Sequence, residues 1–279
     1  MKTITPLRWL IGSELAKYRN DTKLTLAEAA DRTGIGRAKL HHLETGRQQQ
    51  DPDDIATLLS SYGVPTRDID RLTTLTGKAD ESMWWGPWAA VVADWFKTYV
   101  GLEGLASTAF TFEPFVIPGL LQTQDYASAV TASSQSIRPD HGERFVRFRM
   151  ARTHRLTDPD RPLTLHAVIP VGALHLAVGT PEIRRAQLEH LLTMSRRPNV
   201  TIQVVRPEDG PHAALGGGFV QLEFGDAARP VVYVELKDGA VYLQEEDQVE
   251  AYTMVAGDLA KVALGPGPSR DLIAEMLMQ

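Results

Sequence analysis

The 279 residues contain no cysteine, which excludes disulfides and thiolate metal sites and fits a reducing cytoplasm, where we expect the protein to work. No apolar run approaches the ~20 residues that cross a bilayer. The opening MKTITPLRWLIGSELAKYRND has neither a long apolar core nor a cleavage pattern, so neither a secretory signal nor a membrane role is expected. Catalytic signatures are missing as well. There is no HExxH and no nucleophile elbow, and His154, His166, His175, His190 and His212 share no ligand spacing. The triple Gly216-Gly217-Gly218 precedes a β-rich run instead of joining strand to helix, so it reads as a bulge or loop and not as a phosphate cradle. No internal repeat is visible. We therefore expect no metal, no cofactor and no catalytic residue. What is present is a globular composition, 43% hydrophobic and 23% charged, in a length that suits a small domain and a larger one.

Charge is unevenly spread. Residues 1–50 hold nine Lys and Arg against five Asp and Glu, +4, while the whole chain carries −6, which leaves −10 for the remainder. A basic head on an acidic body is the pattern of a protein that meets a polyanion at one end, because binding depends on the field at the contact face.

That head contains the most informative stretch, LTLAEAADRTGIGRAKLHHLETG (24–46). Thr25 and Glu28 form a capping-box pattern that opens a helix. Leu26, Ala29 and Ala30 then give it a small-residue face for a close neighbour. Gly34 suits the left-handed turn that ends it. A second helix follows over Gly36–Glu44, with Leu40 and Leu43 inward and Gly46 at its end. This spacing predicts a helix-turn-helix. A helix fits the major groove, and residues near its N-terminus reach base edges. The outward positions are Arg37, Ala38, Lys39, His41 and His42. Arg pairs bidentately with guanine, Ala touches a thymine methyl, and His42 reaches a base edge or a phosphate. Thr25, Thr45 and Arg47 suit phosphate contacts that fix register. The alternative is a helical hairpin that only packs.

Further helices are expected at Trp9–Arg19 (Ile11, Leu15 and Tyr18 on one face), from Asp53 (Ile55, Leu58, Leu59, Tyr62) and at Arg67–Thr76. Five helices over residues 1–76 make a complete all-α domain. The polar GKADE opens a linker at 77–83, and Trp84, Trp85 and Trp88 then crowd around Gly86-Pro87, most simply sealing a second core. Residues 84–279 mix the two element types. An amphipathic helix is expected from Trp88 through Tyr99, and an aromatic extended run at TAFTFEPF. A basic helix is expected at Phe145–Leu156, with Arg144, Arg147 and Arg155 on one side. Short strands are expected at Leu163–Ile169, Val200–Val205, Gly218–Phe224, Val231–Leu236 and Val241–Leu243, the last three as an antiparallel meander. Helices at 181–195, 246–263 and 269–278 complete an α+β domain, so the chain is multidomain.

GIGRAKLHHLETG and LTLAEAA resemble the recognition and supporting helices of the Cro/repressor, or xenobiotic-response-element, family of bacterial regulators. That family commonly has Gln after the Thr, where this chain has Leu26, which removes one polar contact. VIPGLLQTQDYA, AQLEHLL, PNVTIQVV, GGGFVQLEF, VVYVEL and SRDLIAEML resemble an actinobacterial domain without assigned chemistry that follows this helix-turn-helix in many regulators. The likeness covers nearly all of residues 84–279. Where that family often has an acid, this chain has Val171.

Two functions compete. The first is a transcriptional regulator that binds double-stranded DNA, with a second domain that senses a small-molecule ligand or a partner. The resemblance implies that the partner is a small acidic protein, which the helix bearing Arg144, Arg147 and Arg155 could receive; a solvated basic face is as plausible. Tyr233 and Glu235, two apart on one strand face, could line a ligand pocket, although a solvated strand carboxylate is the simpler reading of Glu235. One module reads too few base pairs to be selective, so a homodimer is expected, paired through the larger domain. The second function is an enzyme acting on a nucleotide or related small molecule, with the helix-turn-helix used for autoregulation.

Overall fold

A computed structural model describes residues 6–76, 88, 90–133, 138–225 and 228–278. The expected linker at 77–83, with Trp84 and Trp85, lies outside the described residues. By internal contacts the chain forms two compact units.

The first unit holds α1 (Pro6–Asp21), α2 (Leu26–Thr33), α3 (Arg37–Glu44), α4 (Pro52–Ser61) and α5 (Thr66–Thr76), together with α6 (Asp94–Leu105) and the segment 224–229. Its core is aliphatic: Leu10, Ile11, Leu15, Leu40, Leu43, Ile55, Leu58, Leu59 and Leu72 are all buried. The helix expected from Trp88 begins instead at Asp94, because a turn closed by Val91 N–H on the Trp88 carbonyl comes first. Local chemistry sets the ends of the short helices. Asp51 caps α4 through Asp53 N–H (2.9 Å), with Pro52 at the first helical position, where its missing N–H costs nothing. Two buried ion pairs tie the helices together. Glu14 of α1 takes two bonds from Arg71 of α5 (2.5 and 3.0 Å), and Glu44 of α3 takes two from Arg19 of α1 (2.7 and 3.0 Å).

The second unit is built on a six-stranded mixed sheet of order β3-β2-β1-β4-β5-β6. The strands are β1 (Thr108–Phe112), β2 (Thr164–Pro170), β3 (Val200–Val205), β4 (Phe219–Glu223), β5 (Val231–Leu236) and β6 (Gly239–Leu243). β1, β2 and β3 run parallel, whereas β4 returns antiparallel on β1 and continues as the expected meander. Helices α7 (Gln124–Ser133), α8 (Gly142–Thr153), α9 (Val171–His175), α10 (Pro181–Met194), α11 (Glu246–Val262) and α12 (Pro266–Met276) surround it.

Alternation divides each strand between two faces. Phe112, Val168, Phe219 and Val232 pack with Ala256 and Leu259 of α11 in one apolar cluster. The cross-strand pair Val220 and Tyr233 lies on the other face, as does Thr111. The outer edge of β3 is closed by Leu264 N–H on the Val204 carbonyl and by Ser269 Oγ, which accepts Val204 N–H at 2.9 Å. Buried Gln203 bonds the carbonyls of Ala260 and Leu264 and meets His166 Nε2 at 2.6 Å. An apolar side chain there would take one donor from each of those carbonyls.

Candidate nucleic-acid interface

The local signals between Thr25 and Gly46 all form. Thr25 Oγ1 accepts Glu28 N–H (3.2 Å) while Glu28 Oε2 accepts Thr25 N–H (2.8 Å), a complete capping box. These bonds hold the Glu28 carboxyl below its ordinary pKa. Gly34 ends α2 at φ 73°, and Gly46 follows α3 at φ 67° with Arg47 N–H on the His42 carbonyl. α3 lies close against α1. A Cβ on Gly12 would fall 2.5 Å from the Glu44 carbonyl oxygen and 2.6 Å from that of Leu43. Buried Gln50 spans the same junction, donating to the carbonyls of Leu43 (2.8 Å) and Arg8 (2.9 Å).

Held in this way, α3 presents Arg37, Ala38, His41 and His42 to solvent, with Arg47 and Gln48 just beyond. Arg37 makes no hydrogen bond or ion pair among the described residues, so its guanidinium is available. Lys39 differs: its ammonium pairs with Asp54 of α4 at 2.6 Å. Thr45 spends its hydroxyl proton on the His41 carbonyl (2.8 Å). Thr25 is exposed but engaged in the capping box, and Leu26 is half-buried.

In the second unit, Arg144 and Arg147 are exposed on α8, with Arg147 paired to Glu143 one turn back. Arg155 does not share their face. It is half-buried and donates to the carbonyls of Ala106 and Arg161 (both 2.7 Å), a local structural brace. Tyr233 is buried, and its hydroxyl donates to exposed Glu235 at 3.0 Å. The inner side of α8 carries a different pair. Arg152 is buried, and Arg149 donates to Gln122 Oε1 at 2.6 Å. Both guanidiniums act on Glu113, which follows β1 and whose carboxyl is pushed up to about 7, chiefly by burial and then by Glu235.

Two known families match different stretches of the chain. The family described as Helix-turn-helix domain matches residues 10–72, and the family described as Domain of unknown function (DUF5753) matches residues 96–275. The second match spans more than half of the chain. The chain belongs to the DUF5753 family. Neither a curated protein nor a solved structure matches it. The helix-turn-helix marks the protein as a DNA-binding regulator, and no described helix is long and apolar enough to cross a membrane.

Sequence reading of the DUF5753 part missed Glu113, Arg149 and Arg152. Signals for them exist. Glu113 continues the alternation of TAFTFE on the side opposite Phe110 and Phe112, and Arg149 and Arg152 stand three apart, hence on one helix face. What hid them is that RFVRFRMAR (144–152) offers arginines in several directions around α8, so the inward pair could not be told from the outward one.

Proposed function

We propose that the protein is a sequence-specific transcriptional regulator of the Cro/repressor type, acting in the cytoplasm as a homodimer on a near-palindromic site. α3 enters the major groove, Arg37 and His42 read base edges, Ala38 and His41 line the same surface, and Arg47 with the backbone after α3 meets phosphate. Lys39 is secondary, since using it on DNA means giving up Asp54. Thr25 and Thr45 contribute through the helix ends they fix. The observation that carries the reading is the exposed Arg37, unpaired among the described residues, at the N-terminus of a helix whose other side is locked onto α1. The second unit senses a small ligand or a small acidic partner protein, with exposed Arg144 and Arg147 as the partner-facing charges.

The test is selection of bound duplexes with the full-length protein, followed by Arg37→Ala. Losing one bidentate contact should cost ~1–3 kcal/mol and relax preference at one base pair. Equal weakening on selected and random DNA would make Arg37 a phosphate contact and refute base readout. The enzyme reading draws on one observation, the approach of Glu113 and Glu235 to two arginines. Turnover of a nucleotide by the purified chain would favour it.

A further inference from the structure

The Glu113 cluster is a costly arrangement for a protein to keep without a use. Two arginines stand three residues apart on α8, both drawn out of water, and like charges in a low-dielectric setting repel strongly. Burial, with Arg152 as the next cause, pulls Arg149 down to about 10, so it still carries its charge at neutral pH. Neither closes an ion pair on Glu113: among the described residues no hydrogen bond or ion pair reaches that carboxylate. Arg149 Nε is buried with no hydrogen-bond partner, while one Nη is spent on Gln122. A buried donor left unpaired costs ~1–3 kcal/mol.

The backbone around the cluster is bare. A Cβ on Gly119 would lie 3.6 Å from Arg152 Nη1, and one on Gly218 would lie 3.5 Å from Glu113 Oε2. At Gly218 the position is also closed by the Phe112 carbonyl and the Pro114 ring, both at 2.9 Å, so only glycine fits beside the carboxylate. Exposed Glu235 marks one side of the cluster, held by Tyr233 through one oxygen with the other left over. Phe115, two residues after Glu113, is 79% exposed.

We propose that Arg149, Arg152, Glu113 and Glu235 form the binding site of a small molecule that carries a carboxylate or phosphate beside a hydroxyl or amine donor. The anionic oxygens take the unspent edge of Arg149 and the charge of Arg152, and the donor goes to Glu235. This deepens the regulator reading and rests on its clause that the second unit senses a ligand. Protonation is built into the site. Ionisation of Glu113 sets a negative charge beside the bound anion and offsets the attraction of Arg149 for it. Affinity should therefore fall as pH rises through about 7. The other groups that face Glu113 are the two arginines, Glu235 and, beside Arg149, Tyr126.

The experiment uses the full-length protein with two probes whose own charge is constant from pH 6 to 8. Sulfate stands for a phosphate group and acetate for a carboxylate, each titrated by NMR or calorimetry. We expect saturable binding of at least one, weakening several-fold from pH 6 to pH 8. Arg149→Gln should lose tenfold or more. Glu113→Gln, which mimics the protonated carboxyl, should bind equally at both pH values. The relative strength of the two probes tells phosphate from carboxylate. Non-saturable binding by wild type, or unchanged pH dependence in Glu113→Gln, overturns the proposal. So does saturation of Arg149 by an acidic peptide but by neither anion, which would assign the site to a partner protein. DNA binding measured on the same samples keeps the two readings apart. Anion binding without DNA binding sinks the regulator, and DNA binding without anion binding sinks only this site.

Discussion

Gly12→Ala tests the claim that α3 is positioned by backbone contact with α1. The added Cβ would lie 2.5 Å from the Glu44 carbonyl oxygen, and ordinary contact begins at 3.4 Å, so the helices must separate by about 0.9 Å. Neither clashing atom belongs to a flexible side chain, which leaves no cheap escape. Separation stretches the Gln50 bridge to Leu43 and the double bond from Arg19 to Glu44. Overpacking of this kind costs ~1–3 kcal/mol, while Ala in place of Gly returns ~0.5–1 kcal/mol of helix propensity. Loss of one carbonyl bond adds ~0.5–1.5 kcal/mol. A net loss of about 1–3 kcal/mol corresponds to a fall of roughly 4–20 °C in the Tm of a domain this size. The control is Gly257→Ala in exposed mid-α11, where a Cβ meets nothing within 4 Å; it should stabilise by ~0.5–1 kcal/mol. Thermal unfolding by circular dichroism reads both, and DNA affinity should fall only in the first. Gly12→Ala as stable as wild type, with full affinity, would refute the positioning argument.

Glu14→Gln removes the nearer carboxylate from Arg71, whose guanidinium keeps Asp68 at 3.5 Å, and should cost ~1–3 kcal/mol in urea unfolding, the penalty for losing hydrogen bonds to a buried charged group; a loss below ~0.5 kcal/mol would mean that the pair is effectively solvated. Arg47→Ala should weaken binding alike on selected and random DNA and lower the slope of log affinity on log salt by about 1, as expected for one phosphate contact. For Glu113 the sign runs opposite to a paired carboxylate. Its folded pKa, raised from 4.5 to about 7, means that the folded state holds the proton more tightly. Stability from this group is therefore full below about 4.5 and is lost as pH rises toward 7. Glu113→Gln should flatten that decline and be the more stable protein at pH 8, whereas equal slopes in denaturant titrations across pH 4.5–8 would show that Glu113 is solvated.

The helix-turn-helix was legible because its determinants are local. A capping box, a left-handed glycine and an apolar pair at i and i+3 lie within about twenty residues, and each forms as read. The meander from Phe219 to Leu243 was legible for the same reason, since its turns are short. The parallel core was not. Nothing near Phe110 announces that it will pair beside His166, because register between strands more than fifty residues apart is settled by which faces find cover. The side of α8 that turns inward hid likewise, being decided by the elements packed on it and not by RFVRFRMAR.

The same distinction explains how the reading head is held. Its sequence shows which face of α3 is polar, but the choice of Lys39 to pair with Asp54 while Arg37 stays free depends on where α4 lies. α1 reaches α3 by three routes: the bare backbone of Gly12, the Arg19–Glu44 pair and the Gln50 bridge from Arg8 to Leu43. All three meet α3 in its last turn, at Leu43 and Glu44, so they fix its C-terminal end and leave the first turn clear. A groove-reading helix needs that division, because side chains at its N-terminus reach the bases while its other end must not move. Loss of any one route should thus degrade placement of Arg37 without altering any residue proposed to touch DNA.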